Sequence, residues 1–195
     1  MSHSLPLLFL LLTITLQAAE QPSATAFLKA ESDSLRALLA KSKEPKAFLE
    51  RSRTLFDFAE LGRRVLAPEG TAVTKPDLEA FLERFPRLIE LSYLHRAERS
   101  IRDYPVTFLE EHDQSGDSVV KVSTSTGKRT IEIILFCARP SGVWRIINLE
   151  YDTVNLLELY RKQFHRILAK HGMKGLLSRI DTKIVALEKQ QRAGR

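Results

Sequence analysis

The sequence predicts an α+β fold: a four-stranded, curled antiparallel sheet packed with helices around an apolar pocket. Three observations carry that prediction. Apolar residues recur at helical spacing from about residue 23 to 101. The period then drops to two across four segments joined by short turn-forming stretches. Helical spacing returns after Tyr151 and runs to about Leu187. The 195 residues, 44% hydrophobic and 28% charged, suffice for one domain with a core and argue against wholesale disorder. We read a leader at 1–19, a single domain at 20–188 and a basic tail at 189–195.

The leader rests on the apolar run Leu5–Leu16, followed by Gln17-Ala18-Ala19-Glu20. A bilayer span needs roughly 20 residues, whereas this run has the length of a signal-peptide core before small residues. Cleavage is expected after Ala18 or Ala19. No Lys or Arg precedes the run and the A-x-A pattern is imperfect, so an uncleaved anchor or a buried helix stays open. No cysteine follows that would accept a lipid.

The first helix follows from Ala26-Phe27, Leu35 and Leu38-Leu39, up to a break at Lys43-Glu44-Pro45. Phe48, Leu49, Leu55, Phe56 and Phe58 continue through short helical pieces. Asp57–Leu66 reads as a further helix, closed by Pro68 and Gly70. Thr74-Lys75-Pro76-Asp77 opens the next, with Thr74 able to cap and Pro76 suited to a first turn. Leu78, Phe81, Phe85, Leu88 and Leu91 or Ser92 then share one face. Pro86 lacks an amide proton and crowds the preceding turn, which predicts a kink there.

Strands are expected at Val106–Glu111, Ser118–Thr124, Thr130–Ala138 and Val143–Tyr151. Ser115-Gly116-Asp117, Ser125-Thr126-Gly127 and Pro140-Ser141-Gly142 mark the turns. Such short links imply an antiparallel meander. Ile131, Ile133 and Leu135 share one face of the third strand, while Ile134 and Phe136 share the other with Glu132. Both faces are thus partly apolar and call for cover. A helix follows from about Thr153 to Lys170, with Asp152 as expected N-cap and Gly172 as expected C′ residue. A second spans about Met173–Leu187, and the tail after Glu188 should fray.

Familiar catalytic patterns are missing: no P-loop, G-x-G-x-x-G, H-E-x-x-H, C-x-x-C or G-x-S-x-G is present. Cys137, the single cysteine, sits in an apolar strand and reads as a buried thiol. His165 and His171 stand six apart, too far for the i,i+4 pairing of metal ligands on a helix. Glu110-Glu111-His112-Asp113 reads as a solvated hairpin end. His95 continues the apolar helix face beside Tyr93. It is either a satisfied core histidine or a proton-transfer group, and an enzyme using His95, Tyr93 or Asp152 remains an open alternative. The net charge of +6 favours anionic surfaces or simply solubility. Arg51, Arg53, Arg63, Arg64, Lys128, Arg129, Arg161, Lys162 and Arg166 carry much of it, as solvated faces or as docking sites for anionic lipid or an acidic partner. No basic surface interleaved with aromatics is visible, which disfavours nucleic acid.

Three stretches taken together resemble the MlaC/toluene-tolerance family of exported phospholipid-binding proteins. They are TLFDFAELGRRVLA (54–67), DLEAFLERFPRLIELSYL (77–94) and GVWRIINLEYDTVNLLELYRKQFHRILAKHGMKGLLSRI (142–180). Members commonly show a Phe-Asp-Phe helix start with Leu-Gly near its end, and a Phe-rich helix ending in a Tyr, here Tyr93. They also show a Trp-bearing strand leading to Tyr-Arg-x-Gln-Phe, here Tyr160-Arg161-Lys162-Gln163-Phe164, and a Gly-x-x-Gly-Leu, here Gly172 to Leu176. Two departures stand out. The family often has Gly-Val-Ser after the last strand, where this chain has Thr153-Val154-Asn155. Pro86 also falls in a helix the family usually leaves intact.

The resemblance implies an MlaC-like, NTF2-like cone and a non-enzymatic periplasmic carrier. It would need no cofactor, with phospholipid as cargo. Its implied partners are an inner-membrane ABC transporter complex with its membrane-anchored lipid-binding subunit and an outer-membrane lipoprotein complex. One branch of the family is associated with hopanoids, so a polycyclic lipid is the alternative cargo. The expected pocket residues are Val120, Val122, Ile131, Ile133, Leu135, Ile147, Leu149 and Tyr151 from the sheet, with Phe81, Phe85 and Tyr93 from the helix.

Overall fold

The computed structural model describes residues 22–41, 46–67, 73–125, 127 and 129–193, apart from the side chains of His95 and Arg96. The expected leader, the Lys43-Glu44-Pro45 break, Pro68, Gly70, Lys128 and the His95 side chain lie outside the described residues.

Four α-helices come first: α1 (Ala24–Lys41), α2 (Lys46–Leu55), α3 (Phe58–Leu66) and α4 (Lys75–Ile89). Asp57 caps α3 by accepting from the Glu60 amide at 2.8 Å. Thr74 caps α4 from outside its first turn, accepting from the Asp77 amide at 3.3 Å. Helix α3 crosses α4 at Gly62, where a Cβ would stand 2.5 Å from Leu82 Cδ2. The Leu-Gly pair is therefore a close-approach site: a side chain at 62 would force Leu82 to move, with Phe81 at 3.2 Å beside it.

Pro86 does not break α4. The helix stays α-helical to Ile89, and the irregularity falls after it, as a π-helical turn at Glu90–Leu94 before α5 (His95–Asp103). The Glu90 amide still donates to the Pro86 carbonyl, so the ladder resumes immediately beyond the missing donor.

The sheet is an open antiparallel meander in the order β1 (Val106–Gln114), β2 (Asp117–Ser125), β3 (Thr130–Ala138), β4 (Arg145–Tyr151), β5 (Val154–Asn155). The α+β class and the meander agree with the sequence. The fifth strand was not expected, and it corrects the start of the last helix. Asp152 and Thr153 both have positive φ, 49° and 71°, and fold the chain back so that Val154 pairs with Tyr151. Helix α6 (Leu156–Ala193) then begins at Leu156, and its cap is Asn155, whose Oδ1 accepts from the Glu158 amide at 3.2 Å. Asp152 instead accepts from Arg129 at 2.9 Å. Gly172, with φ of 61°, breaks α6 into two segments as the sequence predicts, and the second segment continues to Ala193, past the expected end.

Strand register sorts the side chains. Val120, Val122 and Thr124 share a face with Ile131, Ile133, Leu135 and Cys137, and with Leu149 and Tyr151 across the next ladder. Glu111 and Phe108 join this face from β1. Helices α1 and α2 lie on it through Leu28, Leu35, Leu39, Phe48 and Leu55. A second core gathers α3, α4 and both segments of α6.

Candidate functional site

The second core is an aromatic block. Phe81 and Phe85 stack with centroids 4.9 Å apart. Phe164 meets Phe81 edge-on at 5.8 Å, and Tyr160 meets Phe85 edge-on at 5.4 Å. The two rings belong to the Tyr-Arg-x-Gln-Phe stretch of α6, spaced one helical turn apart so that both face α4. Burial pushes the Tyr160 phenol up; the nearby Tyr93 adds to this, and a hydrogen bond with Ser92 opposes it. It therefore stays neutral, with the π-helical turn supplying its polar neighbours.

The first core is a mainly aliphatic layer, with Phe48 buried in it, between the sheet face and α1 with α2. Val120 and Cys137 are fully buried in it. Burial, reinforced by the charges of Glu111 and Asp117, pushes the Cys137 thiol up to about 12, so it is an inert, protonated thiol. Phe56 touches both cores and stacks on Phe58 at 5.1 Å.

The layer is fastened at its rim. Glu111 Oε1 accepts from the Ala24 amide at 3.0 Å and from Ser118 Oγ at 2.8 Å, while Oε2 accepts from the Thr25 amide at 2.9 Å. Partial burial opposes its charge, but the hydrogen bonds with Thr25, Ser118 and Ala24 outweigh this and hold the carboxyl at about 2. Glu111 is thus a cap for α1 supplied across 87 residues, where the helix dipole favours an anion. Trp144 Nε1 donates to the Pro22 carbonyl at 2.7 Å beside it, and Arg139 lies over the indole at 4.3 Å. At the far end Arg36 donates to the Tyr104 carbonyl at 2.7 Å. Arg51 ties α2 to Glu31 of α1 at 2.5 Å.

Several of the arginines read as solvated faces or docking sites are committed inside the molecule. Arg53 and Arg87 both pair with buried Glu90 in the π-helical turn. Arg64 pairs with Glu60 and with Asp117, each at 2.8 Å, and these bonds push its guanidinium up against the opposing effect of burial. Arg161 donates to Glu158 and to the Arg64 carbonyl.

The expected pocket residues fall into two groups. Phe81 and Phe85, with Tyr93 and Leu149 packed against them, belong to the aromatic block. Val120, Val122, Ile133 and Leu135 belong to the sheet layer, and buried Ile131 shares their face. Ile147 is fully buried at the β4 irregularity, skipped by the pairing of Cys137 with Ile146. Tyr151 is 40% exposed at the turn into β5. Sequence reasoning missed Glu111, which it placed in a solvated hairpin end. It also missed Asn155, whose Oδ1 further accepts from Asn148 Nδ2 at 3.0 Å.

Two open clefts run along the second segment of α6, one of about 600 Å³ lined by Leu177, Asp181 and Val185 among others. The other, about 210 Å³, lies between Arg87, Glu188, Gln191 and Arg192. Neither is lined by a sheet residue. Among the described residues no group of three His, Cys, Asp or Glu side chains is placed to hold a metal ion.

This arrangement, a meander covered on one face by two helices and flanked by a three-helix aromatic block, defines an α+β protein built in two apolar parts. The family model described as MlaC protein matches residues 28–182, and the chain belongs to that family. Its fold is similar to that of a phospholipid-binding protein from Ralstonia solanacearum, solved in complex with a phospholipid. The TM-score is 0.75 and the identity 16%, over 86% of this chain and 99% of that one. No curated protein matches this chain.

Proposed function

We propose that this protein is a non-enzymatic carrier that takes phospholipid acyl chains between the sheet face and its covering helices. The observation that carries this reading is the likeness, over nearly the whole of the other chain, to a protein solved with a phospholipid bound. The chemistry of the sheet layer supports it. Val120, Val122, Ile133 and Leu135 offer hydrocarbon, and each methylene moved out of water stabilises the complex by about 0.8 kcal/mol. Two acyl chains therefore bind strongly without any catalytic or cationic centre.

The layer is filled by its own side chains, so entry requires α1 and α2 to separate from the sheet. Their fastenings suit this: a carboxylate cap, an arginine to a carbonyl and an exposed ion pair, each modest and reversible. The carrier works in the periplasm, exported by the leader at 1–19, and shuttles lipid between an inner-membrane ABC transporter complex and an outer-membrane lipoprotein complex.

Native mass spectrometry of protein purified from its own periplasm, with lipid extraction, tests the reading. Phospholipid at about one per chain is the expected result, by the acyl-chain energetics above. Protein that arrives without lipid and takes none from phospholipid vesicles would sink it.

A further inference from the structure

Two hydroxyls in the sheet layer have no hydrogen-bond partner, Ser52 Oγ on α2 and Thr124 Oγ1 on β2. Both residues are buried, Ser52 at 3% and Thr124 at 4% exposure. Ser52 falls on the α2 face of Phe48 and Leu55, the side chains through which that helix enters the layer. Thr124 follows Val120 and Val122 by strand alternation and stands in register with Ile131. Thr124 thus lies on the sheet wall of the layer, and Ser52 on the inward face of α2, which packs on α1 and β4. The usual local escape for a helical hydroxyl is a bond to a preceding carbonyl. Thr54 takes it, donating to the Arg51 carbonyl at 2.8 Å, and Ser52 does not. Among the described residues the other two unpartnered polar atoms differ in kind. Arg36 Nε and Arg161 Nε belong to guanidinium groups that donate through other nitrogens.

A buried donor without an acceptor destabilises a fold, and an apolar side chain of the same shape removes that cost. Alanine at 52 and valine at 124 would fit the layer better than the residues present. We propose that Ser52 and Thr124 donate to the ester carbonyl oxygens of a diacyl phospholipid held in this layer, an inference that rests on the carrier reading above. The match is one of chemistry. The donors are neutral, so they suit a neutral acceptor and leave the charged phosphate outside. In a phospholipid the acceptors that accompany the hydrocarbon most closely are the two ester carbonyls. An ether-linked lipid has the same chains and headgroup but lacks those carbonyls.

The test is competition between diester and diether phosphatidylethanolamine of equal chain length. Both are offered in mixed vesicles to protein stripped of lipid. The wild type should load the diester about ten- to a hundredfold more, the combined worth of two hydrogen bonds. Thr124→Val and Ser52→Ala should each shrink that preference and the double variant should abolish it. Thr124→Ser, which keeps the hydroxyl, should retain it. Thermal midpoints of the apolar variants should hold or rise, showing that the folded layer does not use the hydroxyls. Equal loading of both lipids by the wild type, or an unchanged preference in the double variant, overturns the proposal while leaving the carrier reading standing. Loading of neither lipid by the wild type overturns the carrier reading itself.

Discussion

The aromatic block and the sheet layer bury apolar surface in different ways. In the block, Phe81, Phe85, Tyr160 and Phe164 lock edge to face, and helices from both halves of the sequence interdigitate. Ion pairs reinforce it across about a hundred positions: Arg84 to Asp181 at 2.9 Å and Arg87 to Glu188 at 2.7 Å. The layer is mainly aliphatic apart from Phe48 and holds two unpaired hydroxyls, and α1 is clasped by Glu111 at its start and by Arg36 and Glu31 along its length. On the carrier reading proposed above, the contrast separates a part that stays shut from a part that opens. Directional ring packing gives a unique arrangement, whereas smooth aliphatic walls can part and accept hydrocarbon in place of each other.

The comparison breaks most visibly at Phe85. Phe85→Ala should cost about 3–5 kcal/mol in urea or guanidinium unfolding, because Phe81, Tyr160 and Phe164 lose their common contact. If that substitution costs no more than a methylene, the block is not the rigid part. Native-state hydrogen exchange sharpens the same point: amides of α1 should exchange before those of α4 and the first segment of α6.

Glu111 offers a smaller effect. Glu111→Gln should lower stability by about 1 kcal/mol, the usual worth of a cap at a partly exposed site. It should also speed modification of Cys137 by a thiol reagent about fivefold if the layer opens as α1 lifts. The pH sign follows from a lowered carboxyl. The contribution is fully present above 4.5, the ordinary value, and is lost as pH falls through about 2. Acid titration of the unfolding midpoint should therefore show a shallower fall between those values in Glu111→Gln than in the wild type.

The smallest expected change is a gain. Thr153 carries φ of 71°, a left-handed conformation that is costly for a β-branched side chain. Thr153→Gly should stabilise by about 1 kcal/mol, measured by thermal unfolding. It gives the glycine that the family resemblance leads one to expect there. The neighbouring departure is conservative in effect, since Asn155 caps α6 as a serine would.

What the sequence made legible was local. The change of period, the turns at Gly116, Gly127 and Gly142, the cap at Thr74 and the stop at Gly172 each depend on neighbours a few residues away. Glu111 was opaque because its partners lie 86 and 87 positions earlier, so nothing beside it announces a cap. The fifth strand was hidden because two residues with positive φ, neither of them glycine, make its turn. Periodicity identified the buried side chains Phe81, Phe85, Val120 and Val122 but not their division into two bodies. Helical and strand spacing report which face is inward, and say nothing of which inward faces meet.

The long reach of α6 sets the order in which the molecule can assemble. Leu176 and Ile180 complete the block, and Gln191 reaches the Leu91 carbonyl at 3.4 Å. Helix α3 meets Phe81 and Phe85 at Gly62, but α4 gains the rings and aliphatic side chains that complete its other side only when both segments of α6 are in place. The block therefore closes as one cooperative unit, joined by ion pairs between residues about a hundred positions apart, whereas the sheet layer can form without α6.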